Sequence, residues 1–182
     1  MIKVTPFFHT KGLTTNYIVT DDDSRDAVLI DCTDVDMNMI NFIEKGKYSL
    51  KGVFITHAHD NHACGLKKLM HIYTPAVYAC LPSVQGIITE SLYGNNHFEC
   101  GSISASVIHI PGHSADSLVY VIDGHAFTGD VRPGSAGTIR NGKVLLKGIK
   151  EKLYALPDET VIYPAHGPVS TVEIEKRFKF LS

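Results

Sequence analysis

Three histidines within six residues are the feature that most constrains what this chain folds into and does. His57, His59 and His62 follow directly after the apolar run 53–56, which predicts a strand. Loops that leave strand ends are where a rigid scaffold holds working side chains, and converging neutral imidazoles are favoured ligands of zinc, iron and related metals. With 10 His in 182 residues, chance gives such a triplet with a probability of about 0.03. The histidines therefore indicate a metal site, and the alternative is a solvated polar loop.

Three more potential ligands stand where a β-like run ends. They are His113 after residues 104–110, Asp130 after 126–128 and His166 after 160–163. One such residue alone is more often a turn or cap residue than a ligand. Together with the histidine cluster they make four strand endings in one small chain. This repetition predicts that the candidate ligands meet at a common edge of the sheets.

The hydrophobic pattern predicts short strands that alternate with short helices. The charged segment 21–26 separates two β-like runs, 16–20 and 27–31, and predicts a hairpin. A helix is expected over 35–45, with Asp34 as its N-cap. The remaining expected strands cover 76–79, 104–110, 118–122, 126–128 and 160–163, and the remaining expected helices cover 63–71, 83–89, 147–155 and 171–181. The pattern favours a layered α/β fold in which helices cover sheets.

Composition and charge exclude several classes of partner. The 17 basic and 19 acidic residues give a net charge of −2, so no net field recruits the chain to nucleic acid or to an anionic membrane. No run approaches the roughly 18 apolar residues of a membrane span, and the first apolar runs are too short for a signal peptide. The 4 cysteines form no CxxC pair, which favours reduced thiols. We therefore expect one domain over residues 1–182, a cytoplasmic location and a small-molecule substrate, with no nucleic-acid or membrane partner.

In order and spacing, the four ligand-bearing segments resemble the metallo-β-lactamase superfamily. The resemblance covers nearly the whole chain, from the predicted hairpin to Gly167. It implies a four-layered αββα sandwich with a metal site at one edge, and a motif HxHxDH that is followed by His, Asp and His. Carried over by position, it implies a first metal site of His57, His59 and His113, a second site that includes His62 and His166, and a bridging Asp130.

The chain departs from the family motif at one position. Asn61 stands where the family has the Asp of HxHxDH, and Asp60 lies one residue early. An amide offers a neutral oxygen and cannot accept a proton as a carboxylate does, so the second metal should bind less tightly or not at all. A local slip of the turn would let Asp60 substitute for the missing ligand. The candidate catalytic residues are therefore Asn61, Asp60 and Asp130, with metal-bound hydroxide itself as a further proton acceptor.

The segments 129–134 and 156–167 resemble most closely the glyoxalase II group, which includes thioester hydrolases and persulfide dioxygenases. The resemblance implies a hydrolase that cleaves an ester, a thioester or a similar bond through metal-bound hydroxide. One or two zinc ions are the expected cofactor, with iron or manganese as alternatives. The chain stops soon after His166, where true glyoxalase II continues into a helical domain, so glutathione thioesters are a less favoured substrate.

Two other functions stay open. A persulfide dioxygenase would use a single iron on His57, His113 and Asp130, and a degenerate family member would bind a ligand without turnover. Two nearby side chains also have two interpretations each. Arg132 either contacts an acidic group of the substrate or lies solvated on the surface, and Cys64 either reaches the metal or is a buried core thiol.

Overall fold

A computed structural model gives the fold of the chain for residues 1–94, 96–132 and 141–178. Its first sheet has six strands. In spatial order they are β1 (Ile2–His9), β2 (Thr14–Asp21), β3 (Asp26–Ile30), β4 (Ser49–Phe54), β5 (Ala76–Ala79) and β8 (Glu90–Ser91). β1, β2 and β3 are antiparallel, whereas β3, β4, β5 and β8 run parallel. The short strands β6 (Ser83–Val84) and β7 (Ile87–Ile88) form a separate hairpin.

The second sheet also has six strands. In spatial order they are β14 (Ser170–Thr171), β13 (Val161–Pro164), β12 (His125–Gly129), β11 (Leu118–Ile122), β10 (Ile103–His109) and β9 (Asn96–Cys100). β12 and β13 are parallel, and the other neighbours are antiparallel. The helices are α1 (Met37–Gly46), α2 (Asp60–Ala63), α3 (Leu66–Ile72), α4 (Gly142–Gly148), which continues as a π-helical turn (Ile149–Leu153), and α5 (Val172–Phe178).

Three layers of apolar side chains hold the elements together. The central layer joins the inner faces of the two sheets, where Phe54 packs close to Tyr120. On the outside of the first sheet, Met39 and Leu66 from α1 and α3 are fully buried. On the outside of the second sheet, α4 and the π-helical turn cover the apolar face. The result is the predicted four-layered αββα sandwich.

The histidine edge follows from this topology. β3, β4, β12 and β13 each belong to a parallel pair, and their carboxyl ends lie at one edge of the sandwich. Side chains that follow these strands therefore converge, as ligands do at the carboxyl ends of parallel strands in α/β proteins.

No helix among the described residues is long and apolar enough to cross a membrane.

Some predicted elements are wrong. Residues 83–89, expected to be helical, form the β6–β7 hairpin, because Gln85 and Gly86 both adopt the positive φ angles (53° and 79°) that tight hairpin turns require. The expected helix 63–71 breaks at Gly65 into α2 and α3. The N-cap of α1 is Asp36, whose side chain accepts the Met39 N–H, and not Asp34.

The sequence pattern also missed the strands β1, β8, β9 and β14, and one helix prediction runs past the described residues. β1 contains Pro6, which is typical of an edge strand, and β9 at the edge of the second sheet is mostly polar. α5 confirms the start of the predicted helix 171–181, and residues 179–181 lie outside the described part of the chain.

Candidate metal centre

His57, His59 and His113 bring three ring nitrogens together at the sheet edge. His59 Nδ1 lies 3.0 Å from His57 Nε2 and 3.1 Å from His113 Nε2. Three nitrogens on a tetrahedral ion at zinc–nitrogen distances of about 2.0–2.1 Å are separated by about 3.3–3.4 Å. These two separations therefore match a metal site to within a few tenths of an ångström, and the ligand atoms of all three histidines lie within 4.8 Å of one another.

Asp130 stands between this trio and two further histidines. Its Oδ2 atom lies 3.4 Å from His113 Nε2 and 3.9 Å from His57 Nε2. Its Oδ1 atom lies 3.5 Å from His62 Nε2 and 3.4 Å from His166 Nε2. Each carboxylate oxygen thus faces a different set of imidazoles, which is the arrangement of a bridging ligand.

The two histidines of the second set, His62 and His166, each have a ring nitrogen without a hydrogen-bond partner among the described residues. In both rings this atom is Nε2, and it is buried. Leaving a buried polar atom unpaired is costly, and a metal ion is one way to satisfy it. The donor chemistry of both sets, imidazole nitrogen with a shared carboxylate, fits a divalent ion.

Outer contacts fix which ring nitrogen carries the proton. His62 Nδ1 must donate to Asp31 Oδ2 at 2.8 Å, and His166 Nδ1 must donate to the Leu13 carbonyl at 2.9 Å. Thr56 Oγ1 donates to Asp31 Oδ2 at 2.9 Å, so it accepts from His57 Nδ1 at 3.1 Å. In all three neutral rings the Nε2 lone pair is left for the centre, which is how partners outside a metal site orient its histidines.

Sequence reasoning missed these outer partners. Asp31 is buried and accepts hydrogen bonds from both the backbone N–H and the hydroxyl of Thr56 as well as from His62. Asp116 accepts the backbone N–H of Ala58 at 2.8 Å and so holds the histidine loop. Asp31 stands at the end of the predicted strand 27–31, so the rule that found the ligands, a polar residue at a strand end, applied to it as well.

The pKa values favour ligand binding in the first site. Burial, together with the neighbouring imidazoles, holds the pKa of His57 well below its usual range. Burial also lowers the pKa of His113. The pKa of Asp130 is lowered because the nearby histidines outweigh the effect of burial. At neutral pH the two rings are therefore neutral and the carboxylate is ionised, as metal ligation requires.

His62 behaves differently without a metal. Burial opposes its charged form, but Asp31 and Asp130 on either side raise its pKa to about 9. A proton on His62 then competes with any ion in the second set, since a metal binds the neutral ring.

The structure does not bring Asp60 into the centre. Asp60 is exposed, and its carboxylate accepts a hydrogen bond from Gln85 Nε2 at 2.8 Å. Among the described residues, the groups of ligand atoms within 4.8 Å of one another are His57, His59 and His113, and His57, His62 and Asp130. Asp60 and Asn61 begin helix α2, where successive side chains point about 100° apart, so the two cannot aim at one point. The substitution of Asp60 for the missing ligand is thus absent from this structure.

Asn61 stays at the motif position and is half-buried. Its backbone carbonyl accepts a 2.6 Å hydrogen bond from Thr33 Oγ1. Cys64, three residues further on at the end of α2, is half-buried, and its thiol donates to the Thr33 carbonyl at 2.9 Å. Cys64 belongs to neither group of candidate ligands in the described chain.

Arg132 lies in neither of the places expected from the sequence. Its side chain is about nine-tenths buried and forms an ion pair of 2.8 Å with Glu175 of α5. It also donates to the Pro168 carbonyl at 2.6 Å, in the loop that carries His166. The residues that follow it in the segment 129–134, Pro133 and Gly134, lie outside the described part of the chain.

Comparisons with known proteins agree with this site. Residues 9–166 match the family model of the metallo-beta-lactamase superfamily. An uncharacterized protein of Mycobacterium tuberculosis is 25% identical over an alignment of 203 positions that covers 89% of each chain. The hydroxyacylglutathione hydrolase of Hahella chejuensis is 28% identical over 158 residues, which cover 83% of this chain and 61% of that enzyme.

Among solved structures, that of ETHE1 from Myxococcus xanthus superposes with a TM-score of 0.81 and 26% sequence identity, covering 96% of this chain and 82% of that one. The family resemblance predicted from the motifs is therefore confirmed. The sandwich, the histidine edge and the match over residues 9–166 together show that the chain belongs to the metallo-β-lactamase superfamily.

Proposed function

We propose that this protein is a metal-dependent hydrolase that cleaves an ester, a thioester or a similar bond of a small molecule. The observation that carries the proposal is the placement of Asp130, which turns one oxygen to each of two histidine sets. Similarity to a hydroxyacylglutathione hydrolase over 83% of the chain supports hydrolysis. That relative is longer than this chain, which matches 61% of it, and its substrate is not proposed for this protein.

The residues divide the work between holding an ion and orienting its ligands. His57, His59, His113 and Asp130 would hold the first ion. A divalent ion there supplies a Lewis acid for a carbonyl oxygen and lowers the pKa of a bound water towards neutrality. Thr56 holds the ring proton of His57 at Nδ1, and Asp31 holds that of His62 at Nδ1, so both protons lie away from the ion. Zinc is the proposed metal, with iron or manganese as alternatives.

Elemental analysis and a hydrolysis assay test this proposal together. Protein produced with zinc, iron and manganese available is analysed for metal per chain, and then assayed on small esters and thioesters before and after chelation. We expect activity to vanish on chelation and to return with one specific ion. His57→Ala and His113→Ala should lose more activity than the roughly 10–100-fold typical of changes to outer partners.

The matched control is His71→Ala, which removes an exposed imidazole whose Nδ1 donates to the Lys67 carbonyl within its own helix α3. It should keep both the metal and the activity. Turnover that is absent with every added metal would overturn the proposal and favour a family member that binds a ligand without chemistry.

A mononuclear oxygenase is the second candidate, and one observation favours it. His57, His113 and Asp130 bring two imidazoles and one carboxylate oxygen within 3.4–3.9 Å, and two histidines with one carboxylate are the usual ligands of non-haem iron oxygenases. Oxygen uptake by iron-loaded protein with a low-molecular-weight persulfide, and no hydrolysis by the zinc-loaded form, would replace the first proposal with this one.

A further inference from the structure

A cavity of about 430 Å³ opens beside the metal centre. Its walls come from the β1–β2 turn, the loop after β3, the start of α2 and the β6–β7 turn. The lining residues are Gly12, Thr33, Asp60, Asn61, Cys64 and Gln85. Asn61 lies between the ligands His59 and His62 in the chain, and Leu13, which follows Gly12, accepts a hydrogen bond from the ligand His166. The cavity is therefore lined by segments that also carry or orient the candidate ligands.

Three of the side-chain hydrogen-bond donors on the cavity wall are engaged by the protein. Thr33 Oγ1 donates to the Asn61 carbonyl, the Cys64 thiol donates to the Thr33 carbonyl, and Gln85 Nε2 donates to Asp60. The Asp60 carboxylate is exposed and is the charged group among the lining residues. The lining side chains therefore carry a net negative charge.

Asp60 is also held in place. Its Oδ1 atom accepts a hydrogen bond from the Gln85 side-chain amide. Gln85 lies with Gly86 in the tight β6–β7 turn, where both residues have the positive φ angles that such turns require. A fixed carboxylate with a free oxygen pairs well with an ammonium or another N–H group, and repels a carboxylate or a phosphate.

We infer that this cavity is a substrate subsite for an amine-bearing group, with Asp60 as the residue that determines specificity. The subsite role depends on the proposed hydrolase function, whereas the charge preference of the cavity can be measured without any turnover. Cys64 makes this measurement possible, because its half-buried thiol lies on the same wall.

Two thiol reagents of similar size and opposite charge probe the cavity. The 2-aminoethyl and 2-sulfonatoethyl methanethiosulfonates each convert a thiol to a mixed disulfide and release methanesulfinate. We expect the ratio of the two labelling rates at Cys64, cation over anion, to fall about tenfold in Asp60→Asn, because a unit charge a few ångströms away attracts one reagent and repels the other. Taking the ratio cancels any change in the thiolate fraction. Peptide mass spectrometry separates Cys64 from the half-buried Cys80.

Two further variants keep the test specific. Asp123→Asn makes the same change of charge in the β11–β12 turn, at the end of β12 that is remote from the centre, and should leave the ratio unchanged. Gln85→Ala keeps the Asp60 charge while removing its hydrogen bond, and should retain the preference for the cation. Equal ratios in the wild type and Asp60→Asn, or no labelling of Cys64 by either reagent, would overturn the inference.

Matched substrates complete the experiment once hydrolysis is found. Acetyl thioesters of 2-aminoethanethiol (as its trimethylammonium derivative) and of 3-mercaptopropionate differ mainly in charge. We expect Asp60→Asn to lower kcat/KM for the cationic thioester relative to the anionic one by about tenfold. A protein that shows the labelling preference but hydrolyses no ester or thioester with any added metal would keep the charged cavity and contradict the hydrolase, so the two failures are distinguishable.

Discussion

At the residue scale, Asn61 controls how much negative charge the second half of the centre carries. The two histidines of that half are neutral ligands, and their one described carboxylate, Asp130, is shared with the first site. An amide adds an oxygen and no charge, whereas a carboxylate would add a full charge to the ligand set. The two halves of the centre should therefore differ in affinity for a divalent ion.

Restoring the carboxylate should fill the second half. We expect Asn61→Asp to raise the affinity of the second ion by at least about tenfold, and the content from about one ion to about two per chain. Elemental analysis after dialysis against buffered zinc measures this. Asn38→Asp, which adds the same charge at an exposed position of α1, is the control and should leave the metal content unchanged. Equal metal content in the Asn61→Asp variant and the wild type would contradict the explanation.

At the element scale, a buried ion pair links the loops that carry Asp130 and His166 to helix α5. Arg132 pairs with Glu175 and also donates to the Pro168 carbonyl, while Ser170 Oγ donates to Glu175 at 2.5 Å. Glu175 is about 1% exposed, so its charge depends almost wholly on these partners. Removing one member of such a pair leaves the other charge buried without its counterion.

We expect Glu175→Ala to lower the free energy of unfolding by about 3–5 kcal/mol. The double variant Arg132→Met with Glu175→Leu replaces the pair by apolar side chains and should recover much of that loss. Urea titrations of the three proteins give the comparison. A double variant that is less stable than Glu175→Ala would show that Arg132 stabilises the fold mainly through other contacts.

The break between α2 and α3 depends on close backbone packing at Gly65. A Cβ there would lie 2.8 Å from Asp34 Cα and 3.0 Å from the Cys32 carbonyl oxygen, neither of which can move as a side-chain tip does. Gly65→Ala should therefore destabilise the fold by about 1–3 kcal/mol, the range of overpacked sites. Gly86→Ala, where a Cβ meets nothing within 4 Å, should cost only the roughly 1 kcal/mol of a positive φ. Thermal unfolding of both variants checks the order, and a larger loss in Gly86→Ala would contradict it.

At the scale of the whole molecule, the sandwich and the positions of the candidate ligands could be predicted because both depend on local patterns. Apolar runs that end in His or Asp mark the strand ends, and the parallel pairs β3–β4 and β12–β13 bring those ends together. Contacts between residues distant in sequence could not be predicted in this way. The pairing of Arg132 with Glu175, and the turn of Asp60 towards Gln85, depend on which surfaces the completed fold brings into contact.

Metal removal should lower the stability of the whole fold, because the candidate ligands come from four separate segments of the chain, residues 57–62, 113, 130 and 166, and Asp31 supports them from a fifth. An ion that binds only the folded state at 1,000 times its dissociation constant adds about 4 kcal/mol of stability. For a chain of this size that corresponds to about 8–16 °C in Tm.

We therefore expect a strong chelator to lower the Tm of the wild type by an amount in that range, and readdition of the ion to restore it, as measured by calorimetry. A His57→Ala and His113→Ala double variant, which lacks two of the first-site ligands, should unfold at nearly the same temperature with and without chelator. A chelator-induced shift that is equally large in this variant would mean that the stabilising ion binds elsewhere than at the histidine edge.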